Sequence, residues 1–211
     1  MAVTRDEVLS WIKAYSQVIT ENKDYLTDLD SAIGDADHGA NMDRGFQAVM
    51  AKLPAVEDKD IGTIFKTVGM TLISTVGGAA GPLYGTFFIQ AGNKLKGKIE
   101  LTLSDWAAAL DAATNGVVNL GKASVGDKTM VDALTPAVQT LNGSSGKELS
   151  MSEALKKSAK AAEEGMKGTI PLLALKGRAS YLGERSIGHQ DPGATSSFLL
   201  LDTAANVWVK K

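Results

Sequence analysis

The chain contains no cysteine. That excludes disulfides, thiolate nucleophiles and zinc–thiolate centres, and it fits a reducing, cytoplasmic setting. Histidine is scarce, at two residues, and neither sign of charge dominates: 22 Lys and Arg stand against 24 Asp and Glu. Without a basic excess, nucleic acid is not an expected partner. The longest apolar runs fall well short of a membrane span, and the N-terminal stretch "MAVTRDEVLS" lacks the basic-then-apolar layout of a secretion signal. No linker rich in Pro or Ser divides the chain, and no internal repeat is visible. What is present is 211 residues of 44% hydrophobic and 22% charged composition. That is the profile of a soluble globular protein with enough apolar material for one core, so a single domain over 1–211 is expected.

The dominant period is helical. Thr4 and Glu7 form a capping-box pattern ahead of Val8, Trp11, Ile12, Tyr15, Val18 and Ile19 on one face. Met42, Phe46, Val49 and Leu53 mark a second helix, and Ile61, Ile64, Phe65, Val68 and Leu72 a third. "GGAAGP" (77–82) breaks that one, and Pro82 suits the first turn of a fourth, which carries Leu83, Phe87, Ala91 and Leu95. Thr102 and Asp105 cap a fifth helix, bearing Trp106, Leu110, Ala113 and Val117. Met130, Leu134, Val138 and Leu141 define a sixth, with Pro136 expected to bend it. Ser150 and Glu153 cap a seventh, whose end is blurred by Pro171, and Asp191–Pro192 opens the last. "NGSSGK" (142–147) reads as an ordinary connection, and "SFLLL" (197–201) could be a buried strand but lies in a helix-compatible stretch. The expected fold is all-α: an antiparallel eight-helix up-and-down barrel or bundle.

Four glycine-containing loops stand apart, at 34–41, 77–82, 121–129 and 183–193, following the first, third, fifth and seventh helices. In an up-and-down array alternate loops share one end, so the four can meet at one rim. Asp30, Asp35 and Asp37 in "DSAIGDADHGAN" offer hard oxygen ligands suited to magnesium or calcium. The calcium-loop pattern is absent, and magnesium with phosphate oxygens fits better. The competing reading is that Asp35 or Asp37 only caps the helix starting near Gly39. "GGAAGPLYG" (77–85) feeds a helix N-terminus whose free N–H groups can hold an anion. It is not a P-loop, and on its own it reads first as a helix break with close packing at Gly81 and Gly85. The segment 176–194 holds Lys176, Arg178, Arg185 and His189, any arginine of which could clamp phosphate, although most such runs are solvated. His38 and His189 both lie in glycine-rich loops, where hydrogen bonding is as natural as acid–base work. Together these parts describe a magnesium–nucleotide site for phosphoryl transfer.

The segments "AIGDADHGANMDRG", "GGAAGPLYGTFF", "GKASVGDKTM" and "KGRASYLGERSIGHQDPGA" cover most of the chain's loops. They resemble the nucleotide-binding subunits of bacterial dihydroxyacetone kinases. That resemblance implies an eight-helix barrel with the nucleotide, ADP or ATP, at one end. It implies that Asp30, Asp35 and Asp37 ligate two Mg2+ ions bridging phosphate oxygens. His38, Gly39, Ala40 and Asn41, with Ala79 and Ala80, would lie along the phosphates, and Gly121 and Met130 would flank the base or ribose. Arg178 would stabilise phosphate charge, and Asp191, Pro192 and Gly193 would complete the pocket. Relatives often carry serine where this chain has Ala80, so a hydroxyl contact is lost there.

The resemblance also implies partners. A separate subunit would hold dihydroxyacetone, and a phosphohistidine protein of the phosphotransferase system would rephosphorylate ADP in place. The alternatives are a subunit that exchanges ATP, a nucleotide-dependent regulator that contacts a transcription factor, and a related domain serving another carrier such as a partner-held fatty acid.

Overall fold

Each amphipathic stripe in the sequence forms a helix, and most begin on the side chain that suits an N-cap. The computed structural model describes residues 2–144 and 149–208. Among them are nine α-helices: α1 (Arg5–Glu21), α2 (Lys23–Ile33), α3 (His38–Lys52), α4 (Ile61–Thr75), α5 (Ala80–Lys94), α6 (Leu103–Gly121), α7 (Val131–Ser144), α8 (Met151–Gly168) and α9 (Pro192–Val207). Two 3-10 segments, Leu53–Ala55 and Arg178–Ser186, join them. The strands are a two-residue antiparallel pair, β1 (Val3–Thr4) and β2 (Glu100–Leu101). Residues 197–201 lie within α9, and "NGSSGK" falls partly on residues outside those described. No helix among the described residues is long and apolar enough to cross a membrane.

The capping boxes at Thr4–Glu7, Thr102–Asp105 and Ser150–Glu153 are all formed. Where one helix was expected before the acidic loop, two are found. The N–H and side-chain amide of Asn22 both donate to the Val18 carbonyl, at 3.0 and 2.8 Å, which ends α1. The Asn22 carbonyl then accepts from Leu26 and starts α2. Pro136 does lie inside α7.

Successive helices pack side by side from α3 to α9, and α1 packs against both α9 and α3, so the circuit of contacts closes. Its centre is aromatic. Trp11 sits 5.6 Å from Trp106, 5.2 Å from Trp208 and 5.8 Å from Phe65 between ring centroids. Such pairs add about 1 kcal/mol each beyond their buried area. The indole N–H groups are also satisfied: Trp11 donates to the Leu200 carbonyl at 3.0 Å and Trp208 to the Glu7 carbonyl at 3.1 Å, which fastens α1 to α9. The α4–α5 pair approaches closely because glycines face each other. A Cβ on Gly69 would lie 2.6 Å from the Gly85 carbonyl oxygen, and one on Gly85 would lie 2.8 Å from that of Gly69.

This alternation places the segments after α2, α4, α6 and α8 at one end of the array. The ends of α3, α5 and α7 and the start of α1 lie at the other.

Candidate functional site

The acidic loop is built around Asp30, a buried residue in the last turn of α2. Its Oδ2 accepts the backbone N–H of Asp37 at 2.8 Å and of His38 at 3.1 Å, which folds the loop back onto the helix. A Cβ on Gly34 would fall 2.0 Å from Asp30 Oδ1, so this fold-back needs glycine there. Ala36 takes φ of 59° to complete the turn. As a result Asp30, Asp35 and Asp37 each bring a carboxylate oxygen within 4.8 Å of the others. Asp37 stands at the N-cap position of α3, yet its side chain makes no capping bond. The carboxylate is thus free for another partner, as metal ligation requires and capping does not. Carboxylates this close repel unless a cation joins them. One already does: Arg178 Nε lies 2.9 Å from Asp35 Oδ2.

The loop before α5 leaves its donors open. Ala79, at the N-cap, supplies no side-chain bond, and Gly78 has φ of 62°. The first-turn N–H groups of α5 are therefore available to an anion, with the helix dipole behind them. Asn41 is buried, and its side-chain oxygen accepts from Arg44, which also donates to the Thr75 carbonyl at 3.0 Å.

The loop before α7 is organised by Asp132, whose carboxylate accepts the N–H groups of Gly126 at 2.6 Å and Thr129 at 2.8 Å. Lys128, only 1% exposed, donates through Nζ to the carbonyls of Thr169, Ile170 and Leu172 at 2.8, 3.3 and 3.1 Å. It thereby satisfies carbonyls just past the C-terminus of α8 and ties two of the four loops together. Burial lowers its pKa, and the charge of Asp191 raises it. Asp191 caps α9 by accepting the Ala194 N–H at 2.6 Å. Burial pushes its carboxyl up to about 7, against that hydrogen bond.

The four loops share one cleft of about 870 Å³, counting the part open to solvent. Of the residues expected at the site, Asp30, Asp35, Asp37, His38, Asn41, Ala79, Ala80, Met130, Arg178, Asp191, Pro192 and Gly193 line it. Gly39, Ala40 and Gly121 do not. A Cβ on Gly39 would meet the Lys23 carbonyl oxygen at 2.0 Å, so this glycine lets α3 pack on α2. Gly121 ends α6, with Leu83 as its neighbour.

Lining residues that the sequence reading did not single out include Gly78, Tyr84, Lys128 and Thr129. Lys128 had a signal: it is the lysine of the quoted "GDKTM". Tyr84, inside "GPLYG", reads as ordinary helix core. His38 lines the cleft with its Nε2 2.9 Å from Ser196 Oγ. Burial holds its imidazole below the ordinary value, against the nearby charges of Asp30 and Asp37.

The ADP-binding subunit DhaL of the PEP-dependent dihydroxyacetone kinase of Escherichia coli is 49% identical, over 97% of this chain and 98% of its own. The ADP-binding subunit DhaL of the PTS-dependent enzyme of Lactococcus lactis is 42% identical, with the same coverage. A crystal structure of the dihydroxyacetone kinase of C. freundii in complex with AMP-PNP and Mg2+ superposes with a TM-score of 0.69 at 25% identity. That match covers 93% of this chain but 33% of the larger one. The DAK2 domain model matches residues 32–206. The chain therefore belongs to the DAK2-domain family, alongside the ADP-binding DhaL subunits of dihydroxyacetone kinases.

Proposed function

We propose that this chain is the nucleotide-binding subunit of a phosphotransferase-system-dependent dihydroxyacetone kinase. It acts as one domain in the cytoplasm and holds magnesium–ADP as a resident cofactor. The observation that carries the reading is the convergence of four chain-distant loops on one cleft, with three carboxylates within 4.8 Å of one another and the uncapped N-terminus of α5 in the same wall.

The donor set fits the group. It is made of hard carboxylate oxygens, which suit Mg2+, and it already draws a guanidinium onto Asp35. Asp30, Asp35 and Asp37 would hold two Mg2+ ions, and the N–H groups at Ala79 and Ala80 would face the phosphates. Met130 and Leu83 would offer apolar surface to the base. When bound, magnesium–ADP supplies charge neutralisation and the carrier for the phosphoryl group. The chain's own contribution is to fix three carboxylates on a loop pinned by Asp30, to present unsatisfied amides, and to keep Arg178 at the cleft as a positive group for phosphate oxygens.

Dihydroxyacetone would be held by a partner subunit, and a phosphohistidine protein would return the phosphoryl group to ADP. Relatives named as PEP- or PTS-dependent match this chain along nearly the whole of both lengths, which supports that donor over exchanging ATP. The test is phosphate transfer to dihydroxyacetone with the partner subunit present, supplied in turn with ATP and with the phosphohistidine protein. A mass spectrum of nucleotide released by denaturing the purified protein accompanies it. Stoichiometric ADP and transfer from the phosphoprotein are expected; no transfer from either donor rejects the proposal.

A further inference from the structure

Ser196 is fully buried near the start of α9, and its hydroxyl has four polar neighbours. His38 Nε2 lies at 2.9 Å, the Tyr84 hydroxyl at 2.7 Å, and the carbonyl oxygens of Pro192 and Gly193 at 3.1 and 3.2 Å. A hydroxyl carries one proton and two lone pairs. The carbonyls can only accept, so the serine proton goes to them as a shared, three-centre bond. Both lone pairs are then acceptors, one for the Tyr84 O–H and one for the His38 Nε2–H. Every contact is used once. Were Ser196 to donate to His38 instead, both carbonyl contacts would be void.

The Tyr84 oxygen can in turn accept from the Ser197 hydroxyl at 3.1 Å, and the Tyr15 hydroxyl donates to the Ser196 carbonyl at 2.9 Å. Tyr15, Tyr84, Ser196 and Ser197 are all 1% exposed or less. Side chains of α1 and α5 therefore converge on one turn of α9, in a setting where rotamers are held by packing.

We infer that Ser196 and Tyr84 are positioning residues for His38, fixing its imidazole with Nε2 as donor so that Nδ1 is the atom that meets a bound ligand. Nδ1 makes no hydrogen bond among the described residues, and His38 lines the cleft directly after Asp37. In its neutral form a ring held this way offers a lone pair at Nδ1. It takes a hydrogen-bond donor, such as a cation-bound water or a hydroxyl group, and not an unprotonated phosphate oxygen. The inference rests on the nucleotide reading of the cleft only for the identity of that ligand.

The test joins nuclear magnetic resonance of the imidazole nitrogens with calorimetric binding of magnesium–ADP. In the full chain without nucleotide, the His38 signals, assigned by their loss in His38→Gln, should show a protonated Nε2. Ser196→Ala and Tyr84→Phe should mix the tautomers and weaken magnesium–ADP binding by about tenfold. Adding Ser196→Ala to His38→Ala should cost nothing beyond His38→Ala alone. A protonated Nδ1 with bare Nε2 in the unaltered protein, or additive losses in the double variant, overturns the inference. Tyr84→Phe keeps the ring volume and carries the test if Ser196→Ala does not fold. If the unaltered protein fails to bind magnesium–ADP at all, the nucleotide reading falls, and the imidazole signals still decide whether Ser196 and Tyr84 orient His38.

Discussion

At the end where α1, α4, α6 and α8 begin, each helix is closed by its own N-cap side chain, from Thr4, Asp60, Thr102 and Ser150. At the opposite end α3 and α5 begin without one, while Asp191 caps α9. Backbone conformation divides in the same way. Among the described residues, eight of the nine with positive φ lie in the segments around the cleft, and Gly97 alone lies at the far end. One end satisfies its donors and uses ordinary backbone. The other leaves amides open, crowds carboxylates and adopts turns that Ala36, Lys122 and Lys128 would not choose freely. Stability and binding are therefore separable here: what the cleft leaves unsatisfied is what a metal-bound polyanion would supply.

That separation can be broken by experiment. The largest effect is expected from Asp35→Ala or Asp37→Ala. Magnesium–ADP affinity measured by titration calorimetry should fall by more than about a hundredfold, the top of the range for groups one step removed from a metal, because these carboxylates would touch it directly. The melting temperature of the nucleotide-free protein should hold or rise slightly, because repulsion falls. Unchanged affinity would count against the site.

The next effect is in pH. Asp191 is raised from 3.8 to about 7, chiefly by burial. The folded protein then keeps a proton that the unfolded chain releases, so the stability Asp191 contributes is present below 3.8 and lost as pH rises through about 7. Asp60 and Glu153, at the capped end, run the other way. Their pKa values are lowered, chiefly by hydrogen bonds from Thr63 and Ser150, so their contribution is lost as pH falls. Melting curves across this range should therefore show a decline toward neutrality that Asp191→Asn removes. An identical slope in the variant would show that the buried carboxyl does not titrate there.

A smaller effect is expected from Thr102→Ala, which removes a cap far from the cleft. Chemical denaturation should show a loss of about 1 kcal/mol, with nucleotide affinity unchanged. A parallel drop in affinity would break the separation of the two ends. Smallest of all, Ala80→Ser restores a hydroxyl beside the open N-terminus of α5. A gain of about 1 kcal/mol or less in magnesium–ADP binding is expected from one added hydrogen bond, and a loss would place that position away from the phosphates.

Periodicity made the helices legible, and the alternation of glycine-rich loops made the shared rim legible, because both follow from local chemistry and connectivity. The break at Asn22 was not, since it uses neither glycine nor proline: an asparagine turns its own amide onto Val18 and ends one helix while starting another. The aspartate cluster was visible as residue types, but Asp30 also proves to be the anchor of its loop, a role set by backbone bonds that no pattern announces. Lys128 shows the limit from the other side. A lysine in a glycine-rich loop reads as a solvent-facing charge, and here it is buried among three carbonyls supplied by residues some forty positions away. Gly39 carries a packing role that its motif does not announce: its missing side chain lets α3 approach the Lys23 carbonyl.

Because the chain returns to the same rim only on every second crossing, the cleft draws its wall from residues as far apart as Asp30 and Gly193. No shorter stretch of polypeptide contains it. During synthesis the acidic loop emerges about 150 residues ahead of the turn at the start of α9 that completes the enclosure. Nucleotide capture is thus postponed until the start of α9 has left the ribosome, and uptake of ligand by nascent or clipped chains would report how far assembly had progressed.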